Sequence, residues 1–430
     1  MQPSCTGAAA VATIDRAALR LRYLSNRNRS AELFALVDPS AYEDRPIPLR
    51  LPVVFYEGHF PAFSYNKLGR EALGLPSIDP GYERLFERGI DPGDEAEAAR
   101  HGRATWPEKA AVQAFGARCD AAILDAFAGA DLTAAATSPL LERAEAAYCI
   151  LEHEEMHHET LLYLLHQMPL ERKRPLVASA ALPERERPAR RRVTVAAGTA
   201  TLGARRDAQP FGWDNEFDET QVTVAAFEID VDNVTNGDWL AFVRDGGPLP
   251  PFWRERDGGF ALLCAFEEVP LPLAWPVYVT NAQARAYAAW AGARLPTEAE
   301  YHRAAFGTPG GTERAFPWGA VAPSARFGNF DFKRFDPEPV GATPAGASAW
   351  GVNDLVGNGW EWTSTPFRPL PGFRPMASYP QYSADFFDDE HYIVKGASPV
   401  TNRNHVRRSF RNWYRADYPY VYATFRTVAS

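Results

Sequence analysis

The sequence predicts a multidomain α+β protein: a helical bundle followed by a loop-rich domain of mixed helix and strand. Three observations carry this reading. The chain has 430 residues, enough for more than one hydrophobic core. Its first 170 residues are rich in alanine and leucine at helical spacing. From about Val193 onward, short strand-like segments alternate with proline-, glycine- and aromatic-rich loops, and most of the tryptophan falls there, as in "GNGWEWT". Two architectures in one chain follow.

Taken in order, "DRAALRLRYLSNRNRSAELFALV" and "EKAAVQAFGARCDAAILDAFAGA" place apolar residues at helical intervals. "TSPLLERAEAAYCILEHEEMHHETLLYLLHQM" predicts the longest helix, with Thr137 or Ser138 as its cap, Pro139 in its first turn and Pro169 as its stop. Helices of this kind with one apolar seam suggest a bundle over residues 1–170. Residues 171–192 are charged, contain proline and lack periodicity, which predicts a linker. The second domain then runs over 193–430. In it "VTVAAGTATLGA" and "TQVTVAAFEIDVDNVTN" predict strands, and "NAQARAYAAWAGARLPTEAEYHRAAFG" two helices.

Bulk properties exclude several classes. With 45 Lys and Arg against 54 Asp and Glu, the net charge of -9 offers no footprint for nucleic acid. No apolar run approaches the ~20 residues of a membrane span. The N-terminus has no basic region before its short apolar stretch and does not read as a signal peptide. Cys5, Cys119, Cys149 and Cys264 are scattered without a CxxC, against a disulfide framework and a cysteine-rich zinc site. A reducing cytoplasm is the expected location.

The chemistry concentrates in "LEHEEMHHETLLYLLHQM", which holds four of the nine histidines. His153 and His157 stand four apart, on one helical face one turn apart, with Met156 and Thr160 beside them. Two imidazoles so placed make a bidentate metal platform. His158 and His166 point elsewhere, and Glu159 falls nearly opposite His157. A candidate third ligand lies in "LPVVFYEGHFPAFSYNKL", where His59 has an apolar setting; alone it would read as a hydrogen-bonded core residue, and His101 sits in a polar loop. Three histidines suit Zn, Fe, Cu or Ni, and the spacing does not choose among them.

At these residues the chain resembles a known family. "FYEGH" followed by "HEEMHHE" is similar to the DinB-like helical domain of the sulfoxide synthases of ergothioneine and ovothiol biosynthesis. "ARLPTEAEYHRAA", "VGNGWEWTSTPFRP", "VKGASPVTNRNHVRRSFRNWY" and "YVYATFR" resemble the formylglycine-generating-enzyme (sulfatase-modifying-factor) domain, a C-type-lectin-like α+β fold. The resemblance implies an Fe(II) held by His59, His153 and His157, with O2 as co-substrate. It implies oxidative C–S bond formation between the imidazole ring of hercynine and a thiol. Tyr379 in "PMASYPQYSADFF" matches the catalytic tyrosine of one branch, and Tyr382 a hercynine-carboxylate contact. Asn412 and Trp413 in "FRNWY" match further hercynine contacts, and an aromatic ring suits a trimethylammonium.

The chain also departs from the pattern. Tyr414 stands where one branch uses Asp to read γ-glutamylcysteine, and "GASP" replaces "GGSW". Arg84 and Arg88 in "YERLFERGIDPGDE" are candidate contacts for a donor carboxylate, and Tyr82 is the tyrosine that stretch offers. The sulfur donor is read as cysteine or γ-glutamylcysteine, with a lean to cysteine. Histidine in place of hercynine, or a selenosugar in place of the thiol, are the rival substrates within the family. Formylglycine generation is opposed by the single second-domain cysteine, Cys264. A zinc hydrolase and a calcium-dependent lectin-like module are the alternatives from other classes.

Overall fold

The computed structural model describes residues 14–87, 105–175 and 185–430. The first core is enclosed by α1 (Arg16–Phe34), α2 (Val53–Ser64), the short α3 (Pro80–Leu85), α4 (Lys109–Gly129) and α5 (Glu145–His166). Asp15 caps α1, its carboxylate accepting from the amide of Ala18. Both α1 and α2 pack on α4 and α5.

Helix α2 was not legible as a helix because it has no polar stripe. Every residue in it except Glu57 is buried, the mark of a helix surrounded by core. Pro61 lies inside it, and it continues as a π-helical segment, Tyr65–Ala72. Such widened turns put extra residues on a face and recur at functional sites.

The long helix expected from Ser138 is interrupted. Ser138 caps a 3-10 turn, Pro139–Ala144, and Arg143 and Ala144 adopt positive φ before α5 starts at Glu145. The break turns Arg143 outward, where it donates to the carbonyls of Arg206 and Gln209 in the second half of the chain.

That half holds two four-stranded sheets. One orders Arg192–Val195, Phe227–Asp230, Val428–Ala429 and Ala293–Arg294; the other orders Asn412–Arg415, His391–Ala397, Gly359–Pro366 and Ala423–Thr424. Two helices, Asn281–Trp290 and Glu298–Phe306, each start with a capping box, from Thr280 with Gln283 and from Thr297 with Glu300. The two halves are not separate bodies joined by a loop. One apolar cluster runs from Leu161 and Leu165 on α5 to Phe252, Trp360 and Tyr422. The described parts of the connecting segment are themselves tied down: Lys173 donates to the carbonyl of Ala265, and Arg187 and Arg190 pair with Asp238 and Asp230. Among the described residues no helix is long and apolar enough to cross a membrane.

Candidate metal centre and adjoining cavity

Helix α5 presents His153 and His157 on one face, and α2 brings His59 against them. The Nε2 atoms of His153 and His157 are 3.1 Å apart. The ring of His59 lies 5.1 and 5.2 Å from those of His153 and His157. One nitrogen from each lies within 4.8 Å of the others, the one such cluster among the described residues. The orientation of His59 is set by α3. Its Nδ1 lies 2.7 Å from the carbonyl of Phe86, one residue beyond that helix. Nδ1–H therefore donates, and the Nε2 lone pair faces the other imidazoles, buried and without a protein partner.

Aromatic rings wall the cluster. Phe63 lies flat on His153 at 3.5 Å, and Phe55 stacks on His59 at 4.9 Å. Burial holds the imidazoles neutral. It lowers His59 to about 4, and burial plus repulsion within the cluster hold His153 and His157 well below the usual histidine range. Three neutral imidazoles with convergent lone pairs, one an orphaned buried nitrogen, fit a divalent transition metal.

The other histidines of α5 are accounted for by packing. His158 bonds Ser30 at 2.8 Å, and His166 lies between the Tyr422 hydroxyl at 3.1 Å and the carbonyl of Leu263 at 2.9 Å. Glu159 turns away from the cluster, as its position on the helix requires. Its carboxylate accepts from Trp360 Nε1 at 2.7 Å and Thr401 Oγ1 at 2.8 Å, clamping α5 to the second half of the chain.

A cavity of about 410 Å³ opens beside His153 and His157, between the helices and the second half of the chain. Tyr379, Tyr382, Met156, Asn412, Trp413 and Tyr414, all singled out in the sequence, line it. Tyr379 lies 5.5 Å from Phe63 and 6.2 Å from His153, ring to ring. The Tyr382 hydroxyl donates to Met156 Sδ at 3.3 Å while its ring stacks on Trp213 at 3.9 Å. Trp413 stacks on Phe367 at 4.1 Å and meets Tyr382 edge-on. Asn412 Nδ2 donates to the Tyr414 hydroxyl at 3.2 Å. Burial raises both Tyr382 and Tyr414, which stay neutral phenols.

Two carboxylates fix the loop that carries these tyrosines. Glu145, the first residue of α5, accepts from the amide of Ser378 at 2.8 Å. Asp214 accepts from the Ser383 hydroxyl and from the amide of Met376.

Arg84 is exposed on α3 and is not among the described residues that line the cavity. Tyr82 packs on Phe86 and Phe115 instead of reaching the cluster. Arg88 and His101 lie outside the described residues. Sequence reasoning missed Arg50, Tyr163, Tyr418, Phe386 and His405 on the cavity wall. None sits in a spacing that signals chemistry, although Tyr163, Phe386 and His405 lie inside quoted stretches.

Comparison with known proteins bears on the same regions. Residues 22–161 match the DinB superfamily, and residues 178–430 match the sulfatase-modifying factor enzyme 1-like domain. The chain is 34% identical to the hercynine oxygenase of Mycolicibacterium thermoresistibile over 94% of its own length and 92% of that protein's. It is 36% identical to the hercynine oxygenase of Mycobacterium tuberculosis, covering 82% and 88% of the two chains. Similarity to ergothioneine biosynthesis protein 1 of Neurospora crassa is 28%, over 90% of this chain and 54% of that one. With more than nine-tenths of each chain aligned to the first of these relatives, this protein belongs to the hercynine oxygenase family.

Proposed function

We propose that this protein is an O2-dependent, non-haem iron(II) sulfoxide synthase. It joins the imidazole ring of hercynine to the sulfur of a small thiol, as a step of ergothioneine biosynthesis. The observation that carries the reading is the convergence of three neutral imidazoles on a cavity lined with aromatic rings from both halves of the chain. The names of the family relatives support hercynine as the ring substrate.

The reaction balances as hercynine plus thiol plus O2 giving the sulfoxide adduct plus water. A C–H and an S–H bond are lost, a C–S and an S–O bond form, and O2 takes up four electrons. Iron(II) held by His59, His153 and His157 supplies redox chemistry with O2 and lowers the pKa of a thiol brought to it. The chain's own groups supply the rest. Phe55 and Phe63 exclude water from the ligands. Trp413 and Tyr382 give a trimethylammonium the ring faces it favours. Tyr379, on the cavity wall with its ring 6.2 Å from that of His153, is the proton donor. Cysteine is the proposed sulfur donor.

The test is to load the protein with Fe(II) anaerobically and admit O2 with hercynine or histidine, each paired with cysteine, γ-glutamylcysteine or a selenosugar. A hercynine–cysteine sulfoxide by mass is expected. Product only from histidine, or only from the selenosugar, overturns the substrate assignment. No product from any pair overturns the function.

A further inference from the structure

Arg50 lies on the cavity wall beside His157, on the segment leading into α2. Its side chain is held by both halves of the molecule. The guanidinium lies over the ring of Tyr163 from α5, 5.3 Å from its centroid, and 5.6 Å from that of Tyr418. Its Nε donates to the Tyr418 hydroxyl at 2.9 Å. Tyr418 in turn stacks on Tyr414. The backbone is pinned as well: the amide of Arg50 donates to the carbonyl of Ile47, and its carbonyl accepts from Arg45 Nε. An arginine normally loses much rotamer freedom on binding a ligand; this one is already placed. Its charge reaches the cluster, where it adds to the forces keeping His157 neutral.

The rest of the described wall is charged unequally. Glu159 is occupied by Trp360 and Thr401, and Asp388 by His391. Asp388 and Asp385 flank Phe386, whose ring lies 5.6 Å from Trp413. Arg415 is exposed and stands 3.8 Å from Glu390. Asp385, Asp388 and Arg415 are all exposed, whereas the guanidinium of Arg50 is fixed on the wall by Tyr163 and Tyr418.

We propose that Arg50 selects the sulfur donor: its guanidinium binds the donor's carboxylate while the sulfur is presented at the three-histidine cluster. This rests on the sulfoxide-synthase reading above. A carboxylate matches the planar fork of a guanidinium with two parallel charge-assisted hydrogen bonds, and a thiol without a carboxylate gains nothing from it. Arg50 takes the role that Arg84, exposed on α3, does not fill.

The test compares cysteine with cysteamine, which lacks only the carboxylate. Each is titrated anaerobically into the full-length, Fe(II)-loaded protein saturated with hercynine, so that affinity is read without turnover. Wild-type protein is expected to bind cysteine about 100-fold more tightly, the range for a charge-assisted pair at a partly buried site. Arg50→Met collapses that ratio to about threefold or less by weakening cysteine alone, and leaves hercynine affinity within about twofold. Arg50→Lys, which keeps the charge but loses the fork, gives an intermediate ratio. Loss of both thiols in equal measure from Arg50→Met means a structural role and overturns the proposal, as does a wild-type protein indifferent to the carboxylate. O2 uptake is measured in parallel. A wild type that discriminates by the carboxylate yet consumes no O2 with any pair refutes the parent reading while upholding Arg50's binding role. A wild type that turns over only an uncharged sugar donor refutes both Arg50's role and the thiol assignment, and leaves the O2-dependent chemistry on hercynine standing.

Discussion

Gly58→Ala tests how the third imidazole of the cluster, His59, is held. A Cβ at residue 58 would sit 2.5 Å from three atoms of the Phe86 ring. That ring cannot easily yield. It is fully buried, with Phe55, Trp106 and Phe115 stacked or tilted against it at 6.2 to 6.3 Å and Tyr82 edge-on at 5.8 Å. Overpacking of this kind costs about 1–3 kcal/mol. The backbone of the same Phe86 orients His59 through the 2.7 Å bond to Nδ1, so displacement of the ring reaches the ligand. Loss of a ligand's orienting partner typically lowers metal affinity about 10–100-fold. The assay is competition for Fe(II) against a chelator of known affinity, with urea denaturation of the same samples. Gly129→Ala, at the end of α4 where a Cβ meets nothing within 4 Å, is the control and is expected to leave metal affinity unchanged and stability equal to or slightly above wild type. Unaltered metal affinity in Gly58→Ala would refute the claim that Phe86 sets the orientation of His59.

Tyr379→Phe is expected to lower the rate of sulfoxide formation, or redirect the product, by at least about tenfold, the low end for a proton-transfer group; unchanged kinetics and products remove Tyr379 from the mechanism. Glu159→Leu leaves Trp360 Nε1 without its acceptor and Thr401 Oγ1 short of one; a loss of about 2–4 kcal/mol by urea denaturation is expected, and an unshifted midpoint contradicts the clamp. Burial pushes the carboxyl of Asp354 from 3.8 up to about 6. The native state then holds a proton that the unfolded chain has released, so this group's contribution falls as pH rises from about 4 to about 6, by about 2–3 kcal/mol. Asp354→Asn, which suits the left-handed backbone there (φ 52°), should flatten that decline relative to wild type; an identical pH–stability profile refutes the assignment.

The three-histidine cluster was legible because helical spacing alone aligns His153 with His157, and because His59 stands in an apolar run where an unpaired imidazole is costly. Helix α2, which carries His59, was not legible: amphipathic periodicity disappears when every face is buried. The break at Arg143 and Ala144 was hidden for a different reason. It answers to contacts with Arg206 and Gln209, which no local pattern records. The cavity wall divides in the same way. Tyr379, Tyr382 and Trp413 lie in motifs that resemble a known family. Arg50 meets Tyr418 across 368 residues of sequence, and nothing near either residue announces the pairing.

The most direct test of the central claim is O2 consumption by Fe(II)-loaded wild-type protein and by His153→Ala, with hercynine and a thiol added separately and together. The account predicts uptake that requires both substrates, with one sulfoxide adduct formed per O2. It also predicts that His153→Ala remains folded but retains neither stoichiometric iron nor uptake. Stoichiometric iron in His153→Ala, or a wild type that holds only zinc and consumes no O2 with either substrate, would contradict it.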